Sequence, residues 1–426
     1  MKNVLFNLLI VLISVFGITA CAPSPENTFK KGLESYEQED YHMAIEYLTE
    51  AADKNYADAE KLLGDMYYYG KGVLQDYETA TDWYKKAALH NNVDAQVMLG
   101  MMYYVGEGVI KNEEKAVEWF RKAAEQNSPK AQYYMGECYF LGTGVAQDYV
   151  QALNWYRKAA EQDYAIAQNS IGHSYYYGQG VEQDYKEAVV WYRKSAEQGY
   201  AIAQGNLGMC YAAGLGVEPD DEIAAEWFRK AAEQGEAVAQ YNLANSYFYG
   251  TGVEQNYYEA VVWARKSAEQ GIPAAQNGLA VCYSHGYGVN RDLDKAYYWF
   301  KKAADQGNVD AQYELANCYM DAKGVKRDYV EAVKWYRKAA DQGKAEAQYD
   351  LGVCYSNGYG VKTDYKEAFK WYKKAAEQEH LDALFNVGAC YYNGVGVKQD
   401  IKEAKKWFKK AADKGDQEAM NLLKRI

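Results

Sequence analysis

Every tryptophan in the chain falls on one ruler. Trp83, Trp119, Trp155, Trp191, Trp227, Trp263, Trp299, Trp335, Trp371 and Trp407 stand 36 residues apart, and they are the only ten. From Ala57 to Asp416 the period holds without insertion or deletion, giving ten copies of a 36-residue unit. A fixed period in this range marks supersecondary units that cannot bury their apolar faces singly and must stack. The length of 426 residues therefore counts repeats rather than globular domains.

One copy, AIAQNSIGHSYYYGQGVEQDYKEAVVWYRKSAEQGY (Ala165–Tyr200), shows the logic. Ala167, Ile171, Gly172 and Tyr175 fall at helical spacing, so the core side of a first helix is centred on Ile171 and Tyr175. After the glycines, Ala188, Trp191, Tyr192, Ser195 and Ala196 follow the i, i+3, i+4, i+7, i+8 rule of a second helix. The small Gly172 and Ala188 let the two helices approach, and the rings fill the space beside them. Asp184 with Glu187 three residues on predicts an N-cap and capping box, and six of the ten copies carry Glu or Gln at that third place. Gly199 reads as the glycine that ends the second helix.

The loop between the helices imitates a nucleotide-binding motif. In LLGDMYYYGKGV, five residues separate Gly64 from Gly70-Lys71, where a phosphate loop has four, and Gly72 stands where that loop needs Ser or Thr. The G-x-G-V pattern recurs in nine copies, with Ala322 for the first glycine in the eighth, and the middle residue varies through Lys71, Glu107, Thr143, Leu215 and Tyr287. A phosphate cradle would not take Glu and Leu as readily as Lys. These glycines are predicted to serve a turn that needs positive φ.

The pattern A-x-A-Q…[LI]-G…Y…G-x-G-V…D-Y…E-A…W-Y-x-K-A-A-E-Q-G resembles the Sel-one-like repeat family, relatives of tetratricopeptide repeats, over residues 57–416. The resemblance implies an all-α fold, a right-handed α/α superhelical solenoid of antiparallel helix pairs, usually serving as an adaptor or scaffold surface. Residues 26–56 keep Tyr36, Asp40, Ala44, Ala51 and Ala52 in register but lack the glycine loop, and read as a tetratricopeptide-like first helix pair. Residues 417–426 restart a first helix with Lys424 in place of the repeat glycine, and read as a C-terminal capping helix.

The N-terminus has its own layout. Residues 1–20 place a lysine before an apolar stretch, then small residues before Cys21, the arrangement of a secretory signal. Ile18-Thr19-Ala20-Cys21 resembles a bacterial lipobox, which implies lipidation of Cys21 and a short lipidated tether, 21–26. Ala22 rather than Asp after the cysteine points, by the sorting rule of such lipoproteins, to an outer-membrane anchor with the array facing the periplasm.

No catalytic constellation emerges. Cys138, Cys210, Cys282, Cys318, Cys354 and Cys390 share one repeat position. Equivalent sites on stacked helices lie about 8–10 Å apart, beyond the roughly 7 Å that a disulfide spans between Cα atoms. Buried free thiols are predicted, and with no CxxC there is no zinc motif. A cysteine-rich branch of the family pairs its cysteines, whereas here one occurs per repeat, so that branch's properties do not transfer. The five histidines form no column, and HExxH, GxSxG and Ser-x-x-Lys are absent. Asp76, Asp148, Asp184 and Asp328 belong to a column of eight Asp and two Asn, which suits caps better than an active site. No cofactor or metal is implied. The formal charge of −12 and the lack of a basic run argue against nucleic acid.

Function is then expected on the variable face of the first helices, which the resemblance places in the concave groove. Its early part is apolar and aromatic, with Tyr69, Met98, Met101, Val105, Tyr134, Leu141, Tyr177 and Tyr249; its middle and later part carries Asn206, Asn242, Asn245, Asn317, Asn386 and Asn393. Aromatic anchors and amides that donate and accept together suit an extended peptide. The expectation is a non-enzymatic, lipid-anchored scaffold of the bacterial envelope that binds a protein or peptide. Two alternatives stand beside it: a cell-wall glycan binder, because tyrosines stack on sugar rings, and an envelope hydrolase acting on β-lactams or peptidoglycan.

Overall fold

The computed structural model describes residues 24–426. The signal segment 1–20 and Cys21 lie outside the described residues. Among the described residues there are 23 helices and no strand, and the fold is an all-α solenoid of tandem repeats. The chain divides into two compact units between Gln198 and Gly199. In the first, helix hairpins run from Pro25–Glu37 with Tyr41–Ala52 to Ala165–Tyr177 with Tyr185–Glu197. In the second they run from Ala201–Ala213 with Asp221–Glu233 to Leu381–Asn393 with Ile401–Asp413, closed by Gln417–Leu423. Within each unit every helix packs on the one before it and the one after it.

Most hairpins close on a ring set against a missing side chain. A Cβ placed on Gly64, Gly100, Gly136 or Gly172 would meet the ring of Tyr84, Phe120, Tyr156 or Tyr192 at 2.7, 2.6, 2.4 and 2.6 Å, inside contact distance. The second unit repeats the contact at Gly208 with Phe228, Gly352 with Tyr372 and Gly388 with Phe408. The buried face of the first helix is Ala167, Gln168, Ile171, Gly172 and Ser174, so its centre is shifted from the sequence expectation. Tyr175 is only half-buried, its hydroxyl taking a hydrogen bond from Arg157. An amphipathic pattern cannot place Gln inside, but here Gln168 is buried because both ends of its amide are used. Its Nε2 donates to the Ala160 carbonyl at the end of the preceding helix, and its Oε1 accepts from Gln198 at 2.7 Å. The same relay runs Gln126 to Gln96 to Ala88 in the first unit, and Gln270 to Gln240 to Ala232 in the second. It closes helix-end carbonyls that would otherwise be buried without a partner.

Second helices start as the sequence suggests, with one correction. The Asp184 carboxylate accepts from the backbone amides of Lys186 and Glu187 at 2.9 and 3.1 Å. The reciprocal half of a capping box does not form, because the Asp184 N–H already donates to the Tyr175 carbonyl at 2.9 Å. The same bond joins Asp76 to Tyr67, Asn112 to Tyr103 and Asp328 to Tyr319. Glu187 is left to accept from the Trp191 indole at 3.0 Å.

The two loop glycines have different work. The first ends the helix in the left-handed region, and Ala322 takes that conformation too, at φ 59°. The second lies against the preceding repeat. A Cβ on Gly144 would fall 2.3 Å from the Glu113 carbonyl oxygen, and one on Gly324 2.0 Å from that of Leu293. Left-handed backbone costs an alanine about 1–2 kcal/mol, whereas a collision with a neighbouring backbone has no local remedy. This explains why the eighth copy loses the first glycine and keeps the second.

Ala322→Gly should therefore raise the thermal midpoint, and Gly324→Ala should lower it by considerably more than the roughly 1–2 kcal/mol of a left-handed alanine. Circular dichroism melting of the two variants compares them directly; equal and small effects would remove the packing role of the second glycine.

Candidate functional site: the first-helix face

Counting each repeat from its first residue, the face opposite the core carries positions 2, 6, 9 and 13, and the candidate residues stand at 6, 9 and 13. Position 13 stands furthest into solvent: Tyr69 and Tyr177 are each 59% exposed and Tyr249 is 70% exposed, with Val105 and Leu141 also exposed. Positions 6 and 9 are recessed, except at Met209, which is 46% exposed. Met98 is half-buried against the cluster around Tyr84 and Leu99, and Met101 against the cluster around Phe120. Tyr134 is half-buried as well, its ring stacked on Phe120 with centroids 5.0 Å apart. Burial pushes its phenol pKa up. Met101, Tyr134 and Leu141 come together around a cavity of about 100 Å³ that reaches Cys138.

In the second unit Asn242 donates to the Met209 sulfur at 3.2 Å, and Asn206 is also engaged. Asn317 accepts from the Tyr336 hydroxyl at 2.6 Å, and Asn386 is bonded to Tyr349. The asparagines expected to clamp a peptide thus belong in part to the fold's own bonding. Asn245 and Tyr249 differ, because they border a larger cavity, of about 290 Å³, between Ala237–Tyr249, Tyr257–Glu269 and Pro273–His285.

Acidic groups on this face are structural in the same way. Burial raises the pKa of Glu137, against hydrogen bonds from Tyr156 and Tyr133 that lower it. Asp350 is likewise raised by burial, with the Tyr313 hydroxyl donating to it at 3.0 Å. Raised carboxylates can mark functional acids, but Glu137 is bonded by phenols alone, and Asp350 is bonded by a phenol with His380, Asp321 and Glu346 acting on it through space. Among the described residues no group of three or more His, Cys, Asp or Glu is placed to hold a metal, and no helix is long and apolar enough to cross a membrane. The second helices carry a feature that composition did not reveal. The lysine three residues after each tryptophan lies over its indole, from Lys338 on Trp335 at 3.6 Å to Lys302 on Trp299 at 5.1 Å. These cation–π stacks cover the tryptophans with their own helix.

A family model described as the Sel1 repeat matches residues 29–56 and then ten successive 36-residue stretches from 57–92 to 381–416. The chain belongs to the Sel1 repeat family. The match includes 29–56, the pair that sequence alone likened to a tetratricopeptide unit, so Sel1 repeats number eleven. Among solved structures, the chain is similar to c5321, described as a protective antigen of uropathogenic Escherichia coli strains displaying an SLR fold. The identity is 38% over 95% of this chain and 89% of that one, with a TM-score of 0.79. It is also similar to a Sel1 repeat protein from Oxalobacter formigenes, at 32% identity over 72% of this chain and 90% of that one, with a TM-score of 0.55. Comparison with curated proteins returned no match. Sel1 repeat proteins generally mediate protein–protein interaction and are generally non-enzymatic.

The cysteine column of the Sel1 repeats is a set of free thiols, buried except for the half-buried Cys390. Burial pushes Cys138 and Cys354 up to about 12, and Cys210 and Cys282 up to about 11. At pH 8 a thiol with a pKa of 12 is about one part in ten thousand thiolate. Iodoacetamide at pH 8 should leave Cys138 and Cys354 unmodified in the folded protein and alkylate them fully in guanidinium, as read by mass spectrometry. Rapid labelling of the folded chain would contradict their burial.

Proposed function

We propose that this Sel1 repeat protein is a non-enzymatic scaffold of the bacterial envelope, held at a membrane by lipid on Cys21 and binding a protein or peptide on its first-helix face. The observation that carries the binding surface is the exposed apolar row Tyr69, Val105, Leu141 and Tyr177 in the first unit. Apolar side chains spaced along one face, with half-buried methionines and rings behind them, suit a partner better than water. Aromatic residues of this kind supply most of the energy at protein interfaces. The anchor rests on the lysine, apolar stretch and Ile18-Thr19-Ala20-Cys21 of the N-terminal segment, and Ala22 after the cysteine favours the outer membrane. The partner is a polypeptide on this reading, because the exposed side chains run in a row that an extended or helical segment could follow.

The surface is tested by photo-crosslinking in cells, with the crosslinking amino acid at position 177 or 249 and, as control, at position 197 on a second helix. A partner band is expected from the first two sites and not from the third. The reverse pattern would move the interface to the other face. Asn242→Ala with Tyr249→Ala should weaken capture of that partner by roughly tenfold or more, as expected for a hot-spot aromatic, with unchanged helical circular dichroism. Cys21→Ala should release the protein from the membrane fraction; retention would mean an anchor other than lipid.

A further inference from the structure

The column that supplies the packing ring of each repeat has one gap. The residue after the tryptophan is Tyr84, Phe120, Tyr156, Tyr192, Phe228, Phe300, Tyr336, Tyr372 or Phe408 in nine copies, and Ala264 in the other. The facing residue, position 9, follows the ring in most copies, the exceptions being Tyr192 with His173 and Tyr372 with Val353. Opposite the four phenylalanines stand Met101, Met209, Val281 and Ala389, all apolar. Opposite Tyr84, Tyr156 and Tyr336 stand Asp65, Glu137 and Asn317, which accept the phenol hydroxyls at 2.8, 2.6 and 2.6 Å. The copy with Ala264 has Asn245 at this place. It keeps an acceptor of the kind that meets the tyrosine in those three copies, and lacks the tyrosine.

The place of the ring is a cavity open to the surface. Ala264 and Ala260 line the cavity of about 290 Å³, together with Asn245, Tyr249 and, from the next repeat, Asn277 and Gly278. Gly278 replaces the larger position-6 side chains of the other copies, such as Met98, Tyr134 and Asn242, and a Cβ there would meet nothing within 4 Å. Asn277 Oδ1 is buried without a hydrogen-bond partner. A buried carbonyl oxygen left unsatisfied is costly, and its cost is relieved by a donor brought from outside. An apolar cavity of about 150 Å³ suffices for a benzene ring, so a phenol and its methylene fit this one with room. The repeat 309–344 shows the intended occupant: Ala316 and Asn317 there match Ala244 and Asn245 here, and Tyr336 fills the place of Ala264.

We propose that this cavity is the anchor site for a tyrosine side chain of a partner polypeptide, whose ring takes the place vacated at Ala264 and whose hydroxyl is received by Asn245 and Asn277. The inference rests on the peptide-binding reading of the first-helix face and names the residue read there. A ring from outside completes the repeat's core only in the complex, so binding energy is concentrated at one anchor with the exposed Tyr249 at its rim.

The test uses a tyrosine-bearing peptide selected from a linear displayed library on the mature chain, with affinity read by fluorescence polarisation. Changing that tyrosine to alanine should weaken binding roughly 30-fold, and changing it to phenylalanine by several-fold. Ala264→Tyr supplies the ring from within and should abolish selection of such peptides while holding or raising the melting temperature. Gly278→Leu, which fills the cavity from the other side, should do the same and guards against misfolding of the first variant. Equal binding to wild type and both variants would overturn the proposal, as would equal binding of the phenylalanine peptide. N-acetyl-tyrosinamide and p-cresol, followed by ligand-observed NMR, separate the sources: binding of p-cresol without any selected peptide would make the cavity a small-molecule site and overturn the polypeptide assignment. Peptides that depend on Asn242 and Tyr249 but ignore Ala264→Tyr would leave the face as the interface and remove only the anchor. If neither peptide nor free ring binds, both readings fall.

Discussion

The contact between a first-helix glycine and a second-helix ring sets the geometry of the repeat. With a Cβ on Gly64 only 2.7 Å from the Tyr84 ring, and the same collision in copy after copy, the two helices of a hairpin are as close as an aromatic side chain permits. Cores pack to near-crystalline density, so such a contact tolerates little variation. The substitutions that do occur are instructive. Ala280 and Ala316 replace the glycine while Phe300 and Tyr336 remain, so one methyl can be absorbed. Loss of the ring itself at Ala264 is not absorbed, and a cavity remains.

Stacking of one repeat on the next uses different chemistry. The second loop glycine lets the chain pass directly over the backbone at the start of the preceding second helix, as Gly144 does at Glu113. The buried glutamine relay then ties helix-end carbonyls to the following hairpin, as Gln96 does at Ala88. The relay changes at the ends. In the first 36-residue repeat Glu60 and His90 replace the Gln pair, meeting at 2.7 Å, and in the last the buried Leu384 takes the place of the glutamine.

The candidate surface was legible in outline and not in depth. Spacing correctly exposed Tyr69, Tyr177 and Tyr249, because position 13 lies opposite the core and near the helix end, where no neighbouring helix reaches. It could not show that Met98, Met101 and Tyr134 are recessed, since a helical wheel knows its own axis but not the second helix and the next repeat leaning over it. Nor could it separate asparagines facing water from Asn317, which is held by Tyr336 nineteen residues further along the chain. The gap at Ala264 was written in the alignment of the copies, but it had meaning only once the ring column was known to face position 9.

By itself the sequence determined ten of the eleven repeats, the two helices in each, their Asp and Asn caps and their glycine stops. These are local matters, decided within a few residues by backbone conformation and nearby hydrogen bonds. The tertiary structure decided which glycine is a turn and which is a spacer, why glutamine is buried, why the capping boxes stay open and where the core is incomplete. Each of those depends on atoms brought together from different helices, and a periodic pattern repeats the helices without saying what lies between them.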